Sequence, residues 1–499
     1  MNLPSEKIRP WTAIVLIAAI CCAALLVSPF QYAMLYNFIP ACLIGLVTLI
    51  IYRKALRNSP ALTICALVAV AAVFHWYNIV NFGVSFEFDG KEYWSLARGL
   101  AEGRGFSGAV YRPPLYPAMV GQFITAGDEW GLWVVIFQHA IVLAAAIGTY
   151  ALGRLFSFSK GASLIAVSFM AMNSLLLQSA AFIMTEIVFM GLALVCLAAL
   201  KLLFESPTTK RAIVTGSAFA AASYCRGLLL PLLFCGCMAL VLKKGKPGIR
   251  AAVLSLLVFF GATAPWCARN FFLGGHYAMS AGFGVQAFTK ATAFHLENPS
   301  GRFYKRIEAP LNNVLRDMGR FPYAAPKIPE DDWQINRVPH ALMDSLRRYH
   351  GYSFFGASDA LGKAALEGFI KRPVGYLSSI AHSFSTLLFA HRELYPSIGA
   401  LLPVDKNRLP PFIARMAQGC VYVSGFLFLL FPLAALLRKK TLPSQWAPFC
   451  VVCMMYLLTA AVQIGFTRYS IPWEPLKILC AAFAVETAIS ATTKNRLTS

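Results

Sequence analysis

Apolar residues along this chain fall into blocks, each bounded by polar or basic residues and each close to the roughly 20 positions that a helix needs to cross hydrocarbon. Such blocks begin near Trp11, Tyr32 and Ala61, and again near Trp130, Gly161 and Ala181. Shorter or glycine-interrupted blocks follow over 212–225 and 227–242, and longer ones over 251–271, 417–437, 446–464 and 474–491. The pattern predicts an all-α polytopic membrane protein with about twelve transmembrane helices. An even count returns the C-terminus to the side on which the chain starts.

Two long polar segments interrupt the blocks and set the expected organisation: three N-terminal helices over 1–81, a first outer loop over 82–129, a membrane core over 130–271, a cap over 272–390 and C-terminal helices over 391–499. Within the first loop, Tyr93–Ala101 has helical spacing; within the cap, Leu311–Arg320 and Pro339–Tyr349 do. The apolar stretch Tyr376–Ala390 is expected to lie at the interface or re-enter, because a further crossing would put Arg438, Lys439 and Lys440 on the wrong side. Connections this long usually carry function.

Composition agrees with the bilayer as solvent. With 58% hydrophobic residues, 13% charged residues and a mean hydropathy of +0.62, the chain lies outside the range of soluble domains. The net charge of +22 changes the picture only through its placement. Lys7/Arg9, Arg53/Lys54/Arg57, Arg154/Lys160, Lys210/Arg211, Lys243/Lys244/Lys246/Arg250, Arg438/Lys439/Lys440 and Lys494/Arg496 fall on alternate loops. The positive-inside rule makes those loops cytoplasmic, and a nucleic-acid partner is not expected. The two polar segments then face outward. Many of the 13 cysteines sit inside apolar runs and read as small buried hydrophobes. Cys450 and Cys453 have C-x-x-C spacing but lie on a membrane helix, and the basic N-terminus leads into an anchor helix without a cleavage site.

Charged side chains are expensive in hydrocarbon, so those in or beside the spans are the candidates for chemistry. Glu186 follows Thr185 near one span, Arg226 lies between two others, Arg269 ends "PWCARN" and Arg468 opens "RYSIPWEP". With Asp89 on the first loop they offer carboxylates and guanidiniums at one interface. Arginine forks match phosphate oxygens, and a carboxylate beside a hydroxyl can take its proton as an anionic group leaves. The plainer alternatives are that Glu186 pairs with Arg226 or Arg269 to hold the bundle together, that Trp266, Tyr469 and Trp473 form an aromatic belt, and that His75, His139 and His382 are core histidines.

Six segments, in order, carry a resemblance: "FDGKEYWSLARGLAEGRGF", "YRPPLYPAMVGQF", "MTEIVF", "PWCARNFFLGG", "RPVGYL" and "TRYSIPWEP". Together they resemble the C-type (GT-C) membrane glycosyltransferases, in particular the bacterial branch related to protein mannosyltransferases, aminoarabinose transferases and lipopolysaccharide-core sugar transferases. The resemblance runs from about Phe86 to Ala484. It implies a polyprenyl-phosphate-linked sugar as donor, a lipid, glycan or protein as acceptor, and an active site on the outer face of the cytoplasmic membrane. It implies Asp89 and Glu186 as catalytic carboxylates, with Lys91, Glu92, Arg112, Arg226, Arg269, Arg468 and Tyr469 around the lipid phosphate or sugar. Where relatives often pair Asp with Glu, this chain has Asp89, Gly90, Lys91 and Glu92, and Thr467 stands where many have an acidic residue. Metal dependence varies across the superfamily, which leaves open a Mg or Mn ion between Asp89 and Glu186. A secondary transporter or lipid flippase is the expectation from a different class.

Overall fold

A computed structural model describes residues 60–86, 89–106, 112–127, 129–171, 173–295, 302–317, 333–389, 424–438, 442–462 and 467–498. The predicted spans beginning at Trp11 and Tyr32 lie outside the described residues, as does Asp128. The described chain is mostly helical, and its one β feature is an isolated bridge.

In chain order the helices are α1 (Pro60–Phe82), α2 (Gly90–Ala101), α3 (Leu115–Thr125), α4 (Trp130–Leu155), α5 (Lys160–Ala171), α6 (Ser174–Ser179), α7 (Glu186–Glu205), α8 (Thr209–Cys225), α9 (Leu230–Gly274), α10 (Phe283–His295), α11 (Arg302–Asp317), α12 (Trp333–Tyr349), α13 (Phe354–Lys371), α14 (Pro373–Phe389), α15 (Phe431–Leu437), α16 (Pro443–Val462) and α17 (Glu474–Thr498). Five helical stretches among the described residues are long and apolar enough to cross a membrane: Pro60–Val80, Trp130–Leu155, Glu186–Glu205, Gly227–Gly274 and Pro443–Val462. They mark the chain as a membrane protein.

The expected blocks are met unevenly, for physical reasons. The block from Gly161 is not one helix, because Asn173 leaves the helical path and its Oδ1 accepts the N–H groups of Leu175 and Leu176, starting α6 afresh. The block from Ala181 becomes helical only at Glu186. The blocks at 227–242 and 251–271 fall within α9, whose two limbs meet at Gly245, with φ +58° and ψ −139°, a geometry that only glycine adopts cheaply. The block at 474–491 is helical, but its Glu474, Lys477 and Glu486 keep α17 out of the apolar set. The Tyr376–Ala390 stretch is realised as the 17-residue α14, which packs on α16 and whose Tyr376 hydroxyl donates to the Ala461 carbonyl at 2.8 Å.

Short turns stack α7, α8 and the second limb of α9, with α7 running against the other two, which are parallel to each other. Residues 206–208 return the chain from α7 to α8, and Gly245 reverses it within α9. Lys201, Lys210, Arg211, Lys243, Lys244, Lys246 and Arg250 therefore gather at one end, while Glu186, Arg226 and Arg269 gather at the other. The bundle's outer helix faces expose apolar side chains, among them Leu242 at 81% and Leu257 at 64%, as expected of helices solvated by lipid. α11–α13 differ. Ile307 and Leu311, and Val338, Leu342 and Leu346, recur at one-turn intervals and close with Val285, Phe288 and Leu361 of α10 and α13 into a second hydrophobic cluster, separate from that of the bundle. Lys290 of α10 ties this cluster to α14, donating to the Ser379 carbonyl at 2.6 Å and to Ser383 Oγ at 2.7 Å.

Candidate active site

The first loop enters the site pinned by its backbone. Ser85 donates its N–H to Ala181 at 3.0 Å and accepts from Ile183 at 3.0 Å, pairing the loop in parallel with the irregular segment before α7. Gly90 then lies so close to that segment that a Cβ there would stand 3.2 Å from the Ile183 carbonyl oxygen. Asp89 occupies the N-cap of α2. An aspartate at that position ordinarily accepts a hydrogen bond from the first turn, yet this side chain makes no capping bond. Its carboxylate turns instead to Arg112, with Nη2 3.0 Å from Oδ1.

Arg112 holds two carboxylates at once. Its Nη2 also lies 2.7 Å from Glu92 Oε2, and its Nε donates to the same oxygen at 3.0 Å. Pro113 and Pro114 follow and lead the chain into α3. The guanidinium lies 5.0 Å from the centre of the Tyr93 ring, and that ring meets Tyr116 edge-on at 5.1 Å. Tyr116 donates to Gln138 at 2.9 Å, and Gln138 in turn donates to the carbonyls of Ala180 and Phe182. A chain of aromatic and amide groups thus joins α2, α3 and α4 to the irregular segment.

A second ion pair faces this one. Glu186, the first residue of α7 and 2% exposed, accepts from Arg226 Nη2 at 3.1 Å. Arg226 is extended, with φ −158° and ψ 127°, where α8 gives way to a 3₁₀ turn over Gly227–Leu229. Its guanidinium lies 5.4 Å from the Tyr469 ring centre. Tyr93 lies beside Arg112 and feels both pairs electrostatically. Burial raises the pKa of its hydroxyl above the ordinary tyrosine value; Arg112 and Arg226 pull it down, and Asp89 and Glu186 push it up. The hydroxyl therefore stays protonated at neutral pH, and it accepts from Arg112 Nη1 at 3.4 Å.

The remaining predicted residues divide. Arg269 is held by rings, 4.4 Å from the centre of Trp266 and 5.7 Å from that of Phe106 of the first loop, and it donates to Asn270 Oδ1 at 2.9 Å. Lys91 is exposed on α2. The Arg468 side chain lies outside the described residues. Trp266, Tyr469 and Trp473, expected in an aromatic belt, are buried at 8%, 7% and 0% exposure. Of the expected core histidines, His75 and His139 meet at 2.8 Å between their Nδ1 atoms, whereas His382 is exposed. Glu474, inside the "TRYSIPWEP" segment but given no role there, and Lys477 form a wholly buried pair at 2.5 Å. Their i,i+3 spacing inside an apolar run is the signal that could have found them.

Each carboxylate proposed for a cation is already neutralised by an arginine, Asp89 by Arg112 and Glu186 by Arg226. Among the described residues no group of three or more His, Cys, Asp or Glu side chains could hold a metal ion. The arrangement is three carboxylates, Asp89, Glu92 and Glu186, held by two guanidiniums, Arg112 and Arg226. No family model, no curated protein and no solved structure matches the chain.

Proposed function

We propose that this chain is a membrane glycosyltransferase that moves a sugar from a polyprenyl-phosphate donor to a lipid, glycan or protein acceptor at the outer face of the cytoplasmic membrane. The observation that carries the reading is the pairing of carboxylates and arginines, Asp89–Arg112 and Glu186–Arg226, both of which act electrostatically on the buried Tyr93 hydroxyl. The basic turns gather at the opposite end of the bundle, which supports the outward orientation.

In this mechanism the donor phosphate exchanges with Glu92 as a ligand of Arg112, and Asp89 is left to face the acceptor hydroxyl. That hydroxyl attacks the anomeric carbon as the bond from carbon to phosphate oxygen breaks, and its proton passes to Asp89. The lipid phosphate leaves as an anion matched by guanidinium charge, with Arg226 and Arg269 as the candidates beside Arg112, and so needs no second acid. The sugar emerges inverted.

The deciding experiment is transfer from radiolabelled polyprenyl-phosphate sugars to membrane glycolipids by purified protein in lipid vesicles, with wild type and Asp89→Asn side by side. Transfer that the variant loses is the expected result; a variant with full activity removes Asp89 from the chemistry. Two observations favour a transporter or flippase instead: the helix breaks at Asn173 and Arg226, and the buried Glu474–Lys477 pair. Lipid movement across the vesicle membrane without any transfer would select that reading.

A further inference from the structure

We infer that the buried Glu474–Lys477 ion pair positions the 467–473 segment, and with it the Tyr469 ring beneath Arg226, so that it acts on the proposed site without touching it. The inference rests on the transferase reading for its activity readout only.

Both side chains are fully buried, and Lys477 Nζ lies 2.5 Å from Glu474 Oε1. An i,i+3 Glu–Lys pair supports a helix only weakly, too little to offset the burial of both charges. A glutamate at the start of α17 suits the helix dipole, but a lysine three residues on does not. Lys477 Nζ also makes no well-formed hydrogen bond. Replacing a buried pair by apolar residues is often neutral for stability, so what such a pair contributes is geometry.

The geometry here points in one direction. Glu474 Oε1 stands 3.4 Å from Ser470 Oγ, and Oε2 stands 3.4 Å from Asn173 Nδ2. Asn173 is the residue that breaks the path between α5 and α6. One carboxylate therefore links the helix break, the 3₁₀ turn over Thr467–Trp473 and the first turn of α17. The turn packs against α7, which Glu186 begins. Ser470 is next in the chain to Tyr469, Tyr469 lies under Arg226, and Arg226 holds Glu186. Both hydrogen-bond contacts of Glu474 are long, so Lys477 is needed to keep its carboxylate in place.

The test is hydrogen exchange followed by mass spectrometry on the full-length protein in lipid, comparing wild type with Glu474→Leu/Lys477→Met and with Ser470→Ala. The double variant removes both charges together and leaves no buried charge unpaired. Its expected result is exchange at least tenfold faster over 467–473, exchange over 186–205 unchanged, and sugar transfer reduced at least tenfold. Ser470→Ala, which folds whether or not the double variant does, should speed the same amides by a few fold. Unchanged exchange over 467–473 in both variants overturns the inference, even if transfer falls. Faster exchange over 467–473 in a protein whose wild type transfers no sugar upholds the positioning role and removes the transferase reading.

Discussion

The two ends of the α7–α8–α9 stack carry charge in opposite ways. At the turn end, Lys201 and Glu205 pair within one helix, four residues apart, with Glu205 44% exposed. At the other end, Glu186 and Arg226 pair across two helices, 40 residues apart in the chain, with Glu186 2% exposed. A charge that only sets orientation can stay in water, where pairing is worth little. A charge that must act on a ligand is taken out of water and held by a partner from another element, because a fixed dipole in a dry site acts far more strongly. The contrast is between charges left in water at the turn end and charges buried against partners from other elements at the opposite end.

Four measurements would break or sharpen this contrast. Glu186→Gln leaves Arg226 without its counter-charge and should destabilise the protein by roughly 3–5 kcal/mol, with transfer abolished. Thermal unfolding in detergent reads the first effect, and an unchanged midpoint would mean that the pair is screened as though exposed. Asp89→Asn should reduce transfer by about 10²–10⁴-fold, while stability moves by no more than about 1 kcal/mol because the carboxylate is 26% exposed and Arg112 keeps Glu92.

Tyr93 gives a pH signature. Its hydroxyl titrates higher in the folded protein than the value of about 10 expected when unfolded. Its contribution is whole below that pH and is lost as pH rises through the folded pKa, since the unfolded chain releases the proton first. Stability measured by denaturation should therefore fall more steeply above pH ~10 in wild type than in Tyr93→Phe, and equal slopes would argue against burial of the hydroxyl. Lys201→Ala at the turn end should cost only about 0.3–0.5 kcal/mol. A loss as large as that of Glu186→Gln would erase the distinction between the ends.

Helix existence was legible from the apolar blocks, and the long helices from Pro60, Trp130 and Pro443 follow them closely. The breaks were not. Asn173 followed by a serine is a helix-start signal, but it sits inside an apolar run whose hydropathy hides it. The delay from Ala181 to Glu186 has no local cause, since it depends on backbone pairing with Ser85 from nearly a hundred residues earlier. Asp89, Glu186 and Arg226 stood out because charge near hydrocarbon is costly. Tyr93 did not, because a tyrosine on the buried face of a short amphipathic helix looks like any core residue. Which arginine each carboxylate would take was likewise open, because Arg112 and Arg226 are chosen by packing and not by spacing.

The bridge between Ser85 and Phe182 also has a consequence in time. A chain made from its N-terminus presents Asp89 long before Ile183, Arg226 or Tyr469 exist. The first loop must wait for α4 to α6 before its backbone finds a partner, for α8 before Glu186 is neutralised, and for the segment around Tyr469 before Arg226 has its ring. The cluster is assembled from residues made far apart in time, so a chain cut short before Tyr469 carries the carboxylates but not the ring beside Arg226.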